Sequence, residues 1–184
     1  RVVYNYRQRA SSVMQSPAAK AQIAIDRIDF MAKRREKVLE RHPIQFRYPQ
    51  ILTPGTTEVT EMLCRAGLQL AVVSNSSTEV VDQALHQCGI RENFRHIFSG
   101  WERPDRKPEP ALYQQAMTYF GLKAENCLVV EDSPVGIRAG KRAGLPVAAL
   151  RDRDGLIDQS EADVVLLTIR DLLALPCVRK TMKM

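Results

Sequence analysis

The chain has 184 residues, 45% of them hydrophobic, and carries 27 Lys and Arg against 21 Asp and Glu, a formal charge of +6. That apolar content is enough for a buried core and excludes bulk disorder; the length suits one domain with a modest accessory piece. No apolar run approaches the ~20 residues of a bilayer span, and Arg1-Val2-Val3-Tyr4 leads into no apolar segment of the kind a secretory signal carries.

Cys64, Cys88, Cys127 and Cys177 are scattered and form no CxxC clip, so they read as reduced thiols of a cytoplasmic protein rather than as a disulfide framework. His42, His86 and His96 share no ligand spacing and read as structural or surface residues. The charge is uneven. Residues 1–48 hold 11 basic and 4 acidic residues (+7), and the remainder holds 16 and 17 (−1). A basic first quarter is either a solvated helix face or an attraction for an anionic ligand. No interleaved aromatic pattern accompanies it, which disfavours a nucleic-acid partner.

Ser16-Pro17 opens a stretch from Ala18 to about His42 without Gly or Pro. Ile25, Ile28, Met31 and Ala32 follow helical spacing there, so this stretch is expected to be a helix. Residues 43–54, with Pro43, Pro49 and Thr53-Pro54-Gly55, read as a linker. Strand and helix then alternate. A helix carries Val59, Met62, Leu63 and Ala66 on one face and closes at Gly67. Leu68–Val73 is a continuous apolar strand, and Thr78–Gln87 a helix with Ser76 and Glu79 as its capping box. Phe94–Phe98 is a strand, and Pro110 opens a helix burying Leu112, Ala116, Met117 and Phe120. Cys127–Val130 is a strand and Val135–Ala143 a helix with Gly136 and Gly140 thinned for packing on the sheet. Val147–Leu150 and Val164–Leu167 are further strands, and Thr168 caps a last helix through Leu175, before Pro176. This alternation specifies right-handed crossovers and a parallel sheet, whose ligands bind beyond the carboxyl ends of the strands.

The strand ends carry the chemistry. Ser74-Asn75-Ser76-Ser77 offers hydroxyls and backbone N–H groups ahead of a helix, which suits a phosphate; N-capping alone would also use them. Lys107, between Asp105-Arg106 and Pro108-Glu109-Pro110, is a compact ammonium on a stiffened backbone, suited to neutralising phosphoryl oxygens, where an ordinary lysine would be a solvated surface group. Glu131-Asp132 places adjacent carboxylates at the end of a buried strand; a hard cation such as Mg²⁺ would relieve their repulsion, and helix capping by Asp132 or Ser133 is the plainer role.

Together these stretches resemble the haloacid dehalogenase-like hydrolases. Leu70–Ser74 is similar to that family's second motif, Arg106-Lys107-Pro108-Glu109-Pro110 to its third, and Leu128–Ser133 with Gly136-Ile137 and Ala143-Gly144 to its fourth. The last is close to the β-phosphoglucomutase-like and sugar-phosphate phosphatase branch, and Thr53-Pro54-Gly55 matches its re-entry into the core from a helical cap. The resemblance implies an α/β fold, a Rossmann-like parallel-sheet core over residues 49–184 with a partial helical cap over 1–48. It implies Mg²⁺-dependent phosphatase or phosphomutase activity on a small phosphorylated metabolite through an aspartyl-phosphate. Ser74 and Lys107 would be catalytic, Ser74, Asn75 and Lys107 would hold phosphate, and Glu131 and Asp132 would hold the metal. Dehalogenase chemistry is disfavoured by the paired carboxylates.

The family's first motif, Asp-x-Asp after the central strand, is absent: Asp26 and Asp29 have the wrong spacing, and Asp152-Arg153-Asp154 falls in a late loop. The central strand and the nucleophile are therefore expected to be missing from this chain, and the chain alone to turn over negligibly. A non-catalytic protein that binds phosphorylated ligands or a protein partner is the alternative. Substrate and oligomeric state are left open by the sequence.

Overall fold

The computed structural model describes residues 22–26 as backbone and residues 47–152 and 154–182 in full. Six strands form one sheet: β1 Gln22–Asp26, β2 Leu70–Ser74, β3 Phe94–Ser99, β4 Cys127–Glu131, β5 Val147–Leu150 and β6 Val164–Leu166. Their spatial order is β3-β2-β1-β4-β5-β6, and every pairing is parallel. The helices are α1 Thr56–Arg65, α2 Thr78–Gln87, α3 Ala111–Phe120, α4 Pro134–Arg142 and α5 Pro176–Met182. This is the doubly wound arrangement, with the direction of winding reversing on either side of β1.

The sheet corrects the expectation of a missing central strand. Gln22–Asp26 occupies the centre, with Ile23 opposite Leu70 on one side and Gln22 through Asp26 opposite Cys127 through Glu131 on the other. The stretch expected as helix from Ala18 therefore contains a five-residue strand, and this strand lies within the segment expected as cap. A short run with apolar residues at alternate positions fits strand and helix templates alike, and pairing on both sides decides between them. The remaining cap and helix expectations for residues 1–46, and His42 with them, lie outside the described residues.

The strands read as continuous apolar runs because helices cover both faces. Leu70, Val72, Leu128, Val130, Ala148 and Leu150 face a core built with Val59, Leu63, Leu85 and Leu172. Ala71, Val73, Val129, Val147 and Ala149 face the other, built with Leu112, Tyr113, Ile137 and Ala139. The period-two alternation sends neighbouring strand residues to opposite cores.

Other differences are local. The expected linker contains a short 3-10 turn, Tyr48–Gln50, whose Tyr48 is buried. Ser77, not Ser76, caps α2 by accepting the Val80 N–H at 3.4 Å. Thr168 does form a capping box with Asp171, but on a 3-10 helix, Ile169–Ala174, and Pro176 begins α5 rather than ending the fold. Proline suits that first helical position because its missing N–H has no intrahelical partner there.

Leu63 on α1 has no exposed surface. Leu63→Ala is expected to cost about 2–5 kcal/mol, from lost transfer free energy and the cavity left behind, read as a lower urea midpoint with unchanged slope. All four cysteines are unpaired, and burial pushes the Cys127 thiol up to about 11. At pH 8 roughly one part in a thousand of Cys127 is thiolate, so its alkylation by iodoacetamide is expected to be far slower than that of free cysteine, and to accelerate on unfolding in urea.

Candidate active site at the carboxyl edge of the sheet

The tips of β2 and β3 are stitched together. Gly100 N–H donates to the Ser74 carbonyl at 2.7 Å, and Ser99 Oγ donates to the Ser76 carbonyl at 2.8 Å. Ser74 is fully buried, and its Oγ accepts the Ser76 N–H at 3.1 Å, which folds the chain back over the strand end. Asn75 then reaches across to the 100–108 loop. Its Nδ2 donates to the Lys107 carbonyl at 3.0 Å and its Oδ1 accepts the Lys107 N–H at 3.0 Å. This reciprocal pair imitates a strand pairing and fixes the Lys107 backbone, which continues into a cis peptide to Pro108.

Lys107 is 2% exposed. Its Nζ donates to the Val73 carbonyl at 3.2 Å and to Glu131 Oε1 at 3.1 Å. Burial pushes the Lys107 ammonium down from its ordinary value, and the adjoining Glu131 carboxylate, with Asp132 beyond it, pushes back up. The partner carboxylate is equally buried. Glu131 Oε1 also accepts the Tyr113 hydroxyl at 3.0 Å. Its Oε2 accepts the Asp132 N–H at 3.2 Å, the Ser133 N–H at 3.3 Å and the Ser133 hydroxyl at 3.1 Å. Five donors fill the roughly four lone-pair positions of a carboxylate. Ser133 Oγ in turn accepts the Gly136 N–H at 3.1 Å and caps α4.

Ser74, Asn75, Lys107, Glu131 and Asp132 are thus gathered at one edge of the sheet. The two carboxylates differ in situation. Glu131 turns inward to Lys107, so the repulsion read from the sequence is already relieved by an ammonium. Asp132 is half-buried one residue further on, beside the centre of the sheet. The backbone of Asp26 stands opposite Glu131 across the β1–β4 pairing, so three acidic positions meet where the strand order reverses. Among the described residues no three His, Cys, Asp or Glu side chains cluster as a metal cage. Mg²⁺ needs less: one or two carboxylate oxygens, with water and phosphate oxygens completing the shell. Asp132 fits that demand as a hard oxygen donor.

The family model of haloacid dehalogenase-like hydrolases matches residues 4–144. The chain belongs to this family. It is 32% identical over 127 residues to phosphoglycolate phosphatase 1 of Pseudomonas aeruginosa, covering 67% of this chain and 46% of that protein. A predicted phosphoglycolate phosphatase of Haemophilus somnus 129PT superposes with a TM-score of 0.61 at 33% identity, over 66% of this chain and 56% of that one. CbbY of Rhodobacter sphaeroides, in complex with phosphate, does so with a TM-score of 0.60 at 29% identity, over 65% and 55%. The matched stretches span less than half the length of the first curated relatives.

Sequence reasoning missed three supports of this haloacid dehalogenase-like site. Tyr113 was not singled out, although the helix opened by Pro110 carries it to Glu131. The clamping role of the Asn75 side chain left no signal beyond a polar residue after a strand. Gly136 was read as packing relief against the sheet, which is what Gly140 supplies against Val147 and Val129. At Gly136 a Cβ would land on the Glu131 carboxylate itself.

Gly→Ala inside a helix ordinarily gains about 0.5–1 kcal/mol. Gly136→Ala is expected to reverse that sign and cost about 3 kcal/mol or more, because it drives Glu131 off a buried ammonium. Urea unfolding of the variant checks this; a stabilised variant would contradict the geometry.

Proposed function

We propose that this chain provides the phosphate- and metal-holding part of a Mg²⁺-dependent phosphatase acting on a small phosphorylated metabolite. The observation that carries the proposal is the buried Lys107, clamped by Asn75 and Glu131 between the tips of β2 and β4. A charge so placed has no use in solubility, and holding it dry costs several kcal/mol. The phosphoglycolate phosphatase and CbbY relatives support a phosphomonoester of a small acid or sugar as the substrate class.

In this reading Ser74 Oγ and the Asn75 N–H hold phosphoryl oxygens, and Lys107 offsets charge on the phosphoryl group. Asp132 holds Mg²⁺, while Glu131 keeps Lys107 charged and in place. The metal, when bound, neutralises phosphoryl oxygens. An aspartate nucleophile attacks phosphorus in line, the leaving oxygen takes a proton from the second aspartate of the family's first motif, and water then releases phosphate from the aspartyl-phosphate. No Asp-x-Asp precedes β2 in this chain, and Ile28 stands two residues after Asp26. Asp26 is nevertheless the last residue of the central strand, where the family's nucleophile falls, so we assign it that role and, with no acid at position 28, expect low turnover from this chain. Four free thiols support a reducing, cytoplasmic setting.

The protein expressed from its full reading frame is expected to release phosphate from phosphoglycolate or sugar phosphates only with Mg²⁺, and to lose at least about a hundredfold in kcat/KM on Asp132→Asn. Absence of Mg²⁺-dependent release from all such substrates would overturn the phosphatase reading. The missing second acid favours one other reading, a phosphate-binding protein without chemistry. Calorimetric binding of inorganic phosphate with Mg²⁺, lost in Ser74→Ala and unaccompanied by turnover in the full protein, would establish it.

A further inference from the structure

The connection between β5 and β6 contributes a side chain that the roles above leave unassigned. Gln159 Nε2 donates to the Asp132 carbonyl at 2.9 Å and to the Leu150 carbonyl at 2.8 Å, and its Oε1 accepts the Asp152 N–H at 3.2 Å. A single half-buried amide thereby joins the tip of β4, the tip of β5 and the start of the loop. The loop is itself braced, because the Asp152 carboxylate accepts the Leu156 and Ile157 N–H groups at 2.8 and 3.1 Å.

The consequence falls on Asp132. Its own N–H and that of Ser133 are held by Glu131 Oε2, and its carbonyl is held by Gln159. The peptide plane before Asp132 is thus pinned by Glu131, and the plane after it is pinned twice, by Glu131 from inside the sheet and by Gln159 from the loop. With them fixed, the Cα–Cβ direction from which the Asp132 carboxylate extends is fixed as well. Removing Gln159 would leave a carbonyl at the strand tip to turn toward water and would leave the plane after Asp132 held by one bond of 3.3 Å in place of two.

We propose that Gln159 is a positioning residue for Asp132, so that the β5–β6 loop sets the affinity of the site for a divalent cation. This rests on the reading of Asp132 as the metal-holding carboxylate. Groups that orient a ligand from outside the coordination shell are typically worth 10- to 100-fold in metal affinity.

The test uses Mn²⁺ alone, with free ion read by electron paramagnetic resonance at fixed pH, on the 184-residue chain. Gln159→Leu removes both donations at similar length, and Gln159→Glu keeps the acceptor for Asp152 N–H while removing the donations. Both are expected to weaken Mn²⁺ binding about tenfold or more. Asp152→Ala loosens the loop but leaves both donations, and is expected to change binding by less than about twofold. Circular dichroism identifies any variant that fails to fold, and the other Gln159 variant then decides. If the wild type binds Mn²⁺ through Asp132 and folded Gln159 variants bind equally well, the positioning role is overturned while the phosphatase reading stands. If Asp152→Ala weakens binding as much as Gln159→Leu, general loop integrity is responsible and the proposal is likewise overturned. If Asp132→Asn binds Mn²⁺ as the wild type does, both readings fall together.

Discussion

The structure depends on one buried ion pair, Lys107 with Glu131, 3.1 Å apart and with neither side chain exposed. Such a pair is poor evidence for stability, since removing two charges from water costs several kcal/mol each and their attraction returns little more than that. What makes it tenable is the completeness of its surroundings. Glu131 accepts from a tyrosine, a serine hydroxyl and two backbone amides besides the lysine, and Lys107 donates to a strand carbonyl as well. The requirement propagates outward. Gly136 must lack a side chain to admit the carboxylate, Ser133 must cap α4 while bonding Glu131, and Asn75 must reach from the β2 tip to hold the lysine backbone. The local sequence around three strand tips is therefore constrained by this one pair.

The sheet topology explains why these residues meet. In a parallel sheet all strands end on the same edge, so residues distant in sequence converge there without long-range loops. The winding reverses about β1, which leaves a crevice between the connections that run to either side. Asp26, Glu131 and Asp132 lie at that reversal, and Ser74 lies on the next strand. With β1 in place the sheet of the described residues has its edges at β3 and β6, without the two further unpaired edges that a missing central strand would create.

From Thr56 onward the fold was largely legible in the sequence, because each apolar run is short, bounded by Gly or Pro, and hydrophobic enough to require cover on both faces. Leu70–Ser74, Phe94–Ser99, Cys127–Glu131 and Val147–Leu150 match their expected limits within two residues. Gln22–Asp26 did not announce itself. Ile23 and Ile25 alternate as a strand requires, but Ile25, Ile28, Met31 and Ala32 also satisfy helical spacing, and five residues are too few for periodicity to decide. The residue types of the site were legible, since serine, lysine and paired carboxylates at strand ends are chemically conspicuous. Their division of labour was not. That Glu131 turns toward Lys107 depends on the space at Gly136 and the hydroxyl of Tyr113, which are tertiary facts.

That division of labour bears directly on why a divalent cation belongs in the proposed mechanism. Two neighbouring carboxylates first suggested a metal because they would repel each other. The geometry removes that reason, since Glu131 is neutralised by Lys107. It also supplies a better one. The Lys107 ammonium is balanced by Glu131, and the Asp132 carboxylate adds a negative charge that is felt as far as Lys107. A phosphomonoester dianion brought to Ser74 would approach a neutral pair and an anion. In a partly dry site, where effective dielectric constants are well below that of water, that encounter is unfavourable by an amount the hydrogen bonds of Ser74 and Asn75 would have to overcome. A divalent ion on Asp132 reverses the sign. The same buried pair that would place a lysine beside the proposed phosphate site thus leaves the lysine insufficient, and this is the electrostatic ground for proposing that Asp132 serves a metal.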